Sequence, residues 1–399
     1  MDINHYFEAG IEGKHQNSGF LMPNEQLYPV NPDRTKPWNS LPELPIDRSL
    51  YRDVEIYEQL GNAKEALALL AGRSIAIPNP GVLINSITLQ EAKVSSAIEH
   101  VFTTDDELYK AVSDSTGDGE ASGPTKEVLR YREALWKGHR YLEELGRFNR
   151  TYFVQLYQTI MESGDGIRPP FARTFIRMGG TGPNAGKPAY TPPRGKGVVE
   201  GKLDNLIKFL NNGDSEPADP LLKMCIAHFQ FEAIHPFRDG NGRAGRIMNI
   251  HLLTHSGLLE LPILYLSRYI LEHKEQYYET LAGVSQRAGW KQWFLYMLQA
   301  VEWTSKLTLR KLNDIIASQE EILGVIRGQT AIRRPEELTE AIFTQPYTKV
   351  NHLTDRGLYA ENTARNYLNE LADLQILEKR EIKGRHYYIN RELEGILSF

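Results

Sequence analysis

The chain has 399 residues, 41% of them hydrophobic, which exceeds one ordinary domain and suffices for a sizeable core. A formal charge of -5 and a pI near 6.2 exclude a globally basic binder of nucleic acid or anionic membrane. With Cys225 as its single cysteine it forms no internal disulfide, and it carries neither a signal-peptide pattern nor a bilayer-length apolar run, so a cytoplasmic protein is expected.

Residues 1–52 are rich in Pro, Asn and Asp without a sustained period and predict an extended arm lying on the domain. Over 53–72, Ile56, Leu60, Ala63, Leu67 and Leu70 recur at helical spacing, with Gly72 as the stop and Ile-Pro-Asn-Pro as the break. Thr88-Leu-Gln-Glu91 matches a capping box and predicts a helix over 88–101. Residues 113–126 read as a small-residue polar loop, and helices follow to about 163. Between Gly164 and Gly201 the many Gly, Pro and Arg residues around Arg-Thr-Phe-Ile-Arg-Met predict a hairpin or flap. Asp219-Pro220 opens a helix with an N-cap and a proline at the first helical position. That helix must stop near His235, because the residue before Pro236 is driven out of the α region. A further helix spans about 243–255, closed by Ser256-Gly257, and helical patterns run on to about Gly324 with Trp290, Trp293 and Phe294 in the core. From Pro335, three helical stretches and two β-like arms about Lys383-Gly384 describe a winged helix.

The chemistry concentrates in His235-Pro-Phe-Arg-Asp-Gly-Asn-Gly-Arg-Ala-Gly-Arg246. Gly240, Asn241 and Gly242 ahead of a helix let successive backbone N–H groups converge on an anion, with the helix N-terminus adding positive charge. Arg243 and Arg246, three apart on one helix, offer fork-shaped donors to two phosphates. Asp239 suits a Mg²⁺ ion that bridges phosphate oxygens, and His235 titrates where a general base is useful. A lone histidine before proline, a lone Gly-Asn-Gly turn or two helical arginines would each more often be structural. Their combination in twelve residues points to transfer of a phosphorus-containing group from a nucleotide.

This stretch closely resembles the signature of the Fic-domain family, HPFx[DE]GNGRxxR, at every specified position: His235, Pro236, Phe237, Asp239, Gly240, Asn241, Gly242, Arg243 and Arg246. The resemblance extends over roughly 55–330, taking in the flap that ends in Ala-Tyr-Thr-Pro-Pro-Arg-Gly and the Tyr277-Tyr278 pair, and a C-terminal winged helix recurs in the family. It implies a mainly α protein with a Fic-type helical core, a β-hairpin flap and a C-terminal winged-helix domain. The expected division is an arm over 1–52, a helical region over 53–125 with an inhibitory helix at 88–101, the catalytic core over 126–329 and the winged helix over 330–399.

The implied activity is transfer of AMP from Mg-ATP to a hydroxyl side chain (Ser, Thr or Tyr) of a target protein, this chain included as a target, with release of pyrophosphate. Carried over residue by residue, His235 deprotonates the target hydroxyl, Asp239 holds Mg²⁺, Gly240 to Gly242 form the anion hole, and Arg243 and Arg246 grip the outer phosphates. Phe237 anchors the loop, Arg238 sits beside the nucleotide, Tyr277 lines the adenine pocket, and the flap near 173–180 holds the target by strand addition. Ser95-Ser-Ala-Ile-Glu99-His100 resembles the inhibitory motif [ST]xxxE[GN] of the subgroup with an N-terminal inhibitory helix, so Glu99 pairs with Arg246. His100 departs from the usual Gly or Asn and puts the shape of that helix end in question. Removal of AMP or transfer of UMP by the same site, and a nucleotide-sensing DNA-binding regulator, are the alternatives. Residues 330–399 hold 10 Lys and Arg against 11 Asp and Glu, a poor footprint for DNA phosphates. No membrane partner is expected, and a homodimer is left open.

Overall fold

In the computed structural model, helix α7 (Pro220–Ile234) is buried on every side, the mark of a helix at the centre of a large helical core. The structure describes residues 27–31, 33–75, 80–114, 121, 123–177, 187–213, 217, 219–382 and 384–398, with side chains in the second helix from residue 85. The helices that precede α7 are α1 (Val54–Ile75), α2 (Pro80–Ile98), α3 (Asp105–Asp114), α4 (Gly123–Leu145), α5 (Arg150–Met161) and α6 (Val198–Asn211). It is followed by α8 (Asn241–His255), α9 (Leu266–Glu272), α10 (Lys274–Arg287) and the 40-residue α11 (Trp290–Gln329). Strands β1 (Ile176–Arg177) and β2 (Pro188–Tyr190) pair antiparallel between α5 and α6, so the flap expected around residues 173–180 is a hairpin; residues 178–180 lie outside the described ones.

Three polar residues of α7 meet specific partners. Lys223 Nζ donates to Asn212 O at 2.7 Å, Gln230 Nε2 to Pro42 O at 2.8 Å, and His228 Nε2 lies 2.8 Å from the Tyr277 hydroxyl. Cys225 is buried in the same helix as a small core residue. Trp290, Trp293 and Phe294 are fully buried at the start of α11, as their pattern predicts, and the described part of the arm joins them: Tyr28 sets its ring edge on Trp290 at 5.2 Å and on Trp38 at 6.1 Å.

Three boundaries differ from the sequence expectation. The helix expected over 88–101 starts at Pro80, and Thr88 and Glu91 lie inside it instead of forming a capping box. Glu91 is drawn inward because Tyr131 Oη and Ser267 N each donate to its carboxylate at 3.0 Å, tertiary partners that outcompete a local cap. Helix α1 runs through Gly72 to Ile75, since packing of its apolar face outweighs the roughly 1 kcal/mol a glycine costs in a helix. Residues 113–126 are not all loop: α3 extends to Asp114 and α4 begins at Gly123.

The last part of the chain builds the expected winged helix from α12 (Pro335–Phe343), β3 (Tyr347–Thr348), α13 (Val350–Thr354), α14 (Glu361–Asp373), β4 (Glu378–Ile382), β5 (Arg385–Ile389) and α15 (Arg391–Leu397), with strand order β3-β5-β4. It leans on the acidic α3: Lys349 Nζ and Tyr387 Oη both donate to Asp114 at 2.9 Å, and Tyr347 Oη donates to Asp106 at 2.6 Å. Among the described residues no helix is long and apolar enough to cross a membrane.

Candidate active site

The loop between α7 and α8 is built so that its backbone, not its side chains, forms the floor. His235 ends α7 in a left-handed conformation (φ 49°), the outcome of forbidding α geometry before Pro236. Gly240 is also left-handed (φ 69°), and an added Cβ there would meet Met161 Sδ at 3.0 Å, so glycine answers both the turn and the close approach. Helix α8 then starts at Asn241, whose first-turn N–H groups have no carbonyl partner within the helix.

Phe237 fixes this loop to the core. It is fully buried and stacks on Tyr157 with ring centroids 4.5 Å apart and planes 4° from parallel. Asn241 is turned inward, not toward an anion: its Oδ1 accepts from Phe237 N at 2.9 Å and its Nδ2 donates to Phe237 O at 3.0 Å. Asp239 accepts from Gly240 N at 2.6 Å, and both Arg238 and Asp239 are exposed.

Arg168 holds the loop from the other side and was not singled out by the sequence reading, in which it is one arginine of a polar stretch. Its Nε donates to His235 O at 2.8 Å, its Nη2 to Ile234 O at 3.2 Å, and its backbone N to Pro236 O at 2.9 Å. Tyr190 of β2 donates to Ala233 O at 2.9 Å, tying the flap to the end of α7. Burial first, and then the Arg168 charge, pull the His235 imidazole down to a pKa of about 4, so at neutral pH it is the free base. Its Nδ1 is buried without a hydrogen-bond partner.

The arginines are engaged by acids. Arg246, 1% exposed at its side chain, donates from Nη2 to Glu99 Oε1 at 2.9 Å, from Nε to Ser95 Oγ at 2.8 Å and from Nη2 to Ser95 O at 3.0 Å. Burial works to raise the Glu99 carboxyl, but the Arg246 charge and hydrogen bond outweigh it and hold it below its usual value. The Glu99 side chain, 35% exposed, also occupies the space in front of Gly242, where an added Cβ would lie 2.5 Å from Glu99 Oε1. Arg243 is 3% exposed and gives Nη1 to Glu127 Oε2 of α4 at 3.1 Å, a partner the sequence offered no signal for.

Glu99 lies one residue past the last helical position of α2, in the turn that closes it. His100 takes the left-handed conformation there (φ 63°) and sets its ring against Phe102, so it adopts the geometry that Gly or Asn favours and Glu99 still reaches Arg246. Lys274 caps the same end by donating to Ile98 O at 2.6 Å. Tyr277 is buried with its hydroxyl on His228, whereas its neighbour Tyr278 is 42% exposed. Glu232 lies below the loop with Oε1 unpartnered, and burial raises its carboxyl to about 8.

Fold and site together define a helical protein whose glycine-led helix N-terminus lies beside two buried arginines that are paired with acids. Residues 57–140 match the Fic/DOC family N-terminal region, residues 147–253 the Fic/DOC family itself, and residues 325–393 the C-terminal domain of SoFic-like protein adenylyltransferases. The chain belongs to the Fic/DOC family. A probable protein adenylyltransferase of Aquifex aeolicus (strain VF5) is 26% identical over 208 residues, and the protein adenylyltransferase Fic of Culex quinquefasciatus is 27% identical over 161 residues, which are 50% and 39% of this chain. The matched stretches span 63% and 29% of those two proteins, so less than two thirds of either relative is covered. A Fic family protein from Desulfovibrio desulfuricans G20 has the same fold, with a TM-score of 0.51 and 19% identity over 87% of this chain and 98% of that one.

Proposed function

We propose that this chain transfers AMP from Mg-ATP to a hydroxyl side chain of a target protein, and that Glu99 holds the activity down. The observation that carries the reading is one loop in which a neutral, half-buried imidazole, a glycine-led helix N-terminus and a buried guanidinium converge, the guanidinium now paired with an acid. Relatives named protein adenylyltransferases support it.

In the reaction the target oxygen attacks the α-phosphorus of ATP, the bond from that phosphorus to the bridging oxygen breaks, and pyrophosphate leaves. The His235 imidazole takes the hydroxyl proton, a role open to it because burial keeps it unprotonated. The first-turn N–H groups of α8 carry charge on the phosphate oxygens without having to reorganise. Arg246, once released by Glu99, is the donor for an outer phosphate. Among the described residues no three acidic, histidine or cysteine side chains group around a metal, while Asp239 offers a single exposed carboxylate, a donor set that fits Mg²⁺ held by one protein carboxylate and not an all-protein cage. Asp239 would hold that ion, which supplies neutralisation of phosphate charge.

Incubation with ATP labelled at the α-phosphate tests the reading. Label appearing covalently on a protein, with none from the γ-labelled nucleotide, supports it. A chain without Glu99 that binds ATP but labels nothing overturns it.

A further inference from the structure

Away from the His235 loop, the seam between α2, α4 and the winged-helix unit encloses a cavity of about 280 Å³. Helix α2 contributes Asn85, Ser86 and Leu89, α4 contributes Arg132, and the turn after α13 places Arg356 and Asp355 at the mouth. The chamber therefore exists only where the winged helix meets the helix that carries Ser95 and Glu99.

Its polar groups are incompletely matched. Ser86 is 2% exposed and its hydroxyl has no partner. Arg132 donates from Nη2 to Asn85 Oδ1, yet its Nε is buried without an acceptor and it makes no ion pair among the described residues. An unmet buried donor costs about 1–3 kcal/mol, and native structures rarely leave two beside one cavity without something to receive them. Two guanidinium groups face one carboxylate in the lining, so the chamber is net positive, and Leu89 with its apolar neighbours gives the remaining wall a greasy surface.

We infer that this cavity binds a small organic anion, with its charged head on Arg132, Ser86 and Arg356 and a ring-sized apolar body against Leu89. A phosphate monoester and a carboxylate share this chemistry. Asn85, Ser86 and Leu89 lie between about one and a half and four turns ahead of Ser95 and of Glu99 in the turn that closes the same helix, so an occupied cavity sets the pose of α2 and with it the Glu99 contact. That last step rests on the adenylyltransferase reading, whereas occupancy of the cavity does not.

Calorimetric titration of the full chain with phenyl phosphate, benzoate, inorganic phosphate and phenol tests it. Phenyl phosphate or benzoate should bind, the tighter of the two naming the head group, with inorganic phosphate and phenol at least tenfold weaker. Arg132→Gln and Arg356→Glu should each weaken the aromatic anion about tenfold or more, the worth of a charge-assisted hydrogen bond. Arg356 is exposed, so its variant reports even if Arg132→Gln unfolds. Arg246→Ala, which strips the nucleotide cradle but not the cavity lining, should change the affinity less than either of those two variants. Absence of binding by both aromatic anions, equal affinity in the Arg132 and Arg356 variants, or loss confined to Arg246→Ala would overturn the site. A chain that binds phenyl phosphate through Arg132 but never transfers AMP would count against the proposed activity alone.

Discussion

Glu99 Oε1 stands 2.9 Å from Arg246 Nη2 and fills the space that a side chain on Gly242 would need, so one carboxylate covers both the guanidinium and the floor of the loop. Its own backbone sits in the closing turn of α2, held by the left-handed His100 and capped by Lys274. Anything that shifts this turn changes access to the cradle.

Glu99→Gly is expected to raise AMP incorporation. With the carboxylate gone, Arg246 is free to hold an outer phosphate and align the α-phosphorus, and misplacement of about 1 Å can cost on the order of 10²-fold in rate. Initial rates are compared for the parent, Glu99→Gly and Glu99→Gly with Arg246→Ala. The single variant should be fastest and the double variant should lose the gain. Equal rates for the parent and the single variant would sink the inhibitory role.

His235→Ala should abolish transfer, by roughly 10²–10⁴ in rate, while ATP affinity changes little, since the imidazole acts on the target hydroxyl. Its pH profile carries a second test. Because burial and Arg168 lower the imidazole to about 4, the base form persists on acidification, and the acid limb of the rate should fall near 4 and not near 6.5. A rate in Glu99→Gly that halves between pH 7 and 6, with the fold intact by circular dichroism, contradicts this assignment.

Asp239→Ala is expected to raise the Mg²⁺ concentration needed for half-maximal transfer, because this exposed carboxylate is the one acid within the loop. Mg²⁺ titrations of activity on a Glu99→Gly background give the comparison. Identical midpoints for the two chains would remove Asp239 from the metal's surroundings.

Phe237→Ala should destabilise the protein by about 3–5 kcal/mol, the cost of emptying a fully buried aromatic site and leaving Tyr157 unstacked. Urea unfolding measures it. A loss below about 1 kcal/mol would mean that the loop is not anchored through this ring.

The sequence alone determined the His235–Arg246 loop, because its parts are local. A proline dictates where α7 ends, glycine supplies the left-handed turn, and the helix that follows supplies its own unpaired N–H groups. The spacing of Ser95 and Glu99 and the helix, helix, helix, wing order of the last seventy residues were legible for the same reason. What only the tertiary structure decided are relationships across long chain separations. Thr88 and Glu91 read as a cap until Tyr131 and Ser267 claim the carboxylate. Arg243 reads as a free donor until Glu127 of α4 meets it, and Arg168 is one arginine of a polar stretch until three carbonyl groups near His235 surround it. A side chain's hydrogen-bonding capacity is written in the sequence, but the partner that satisfies it is chosen by which distant segment packing brings within about 3 Å.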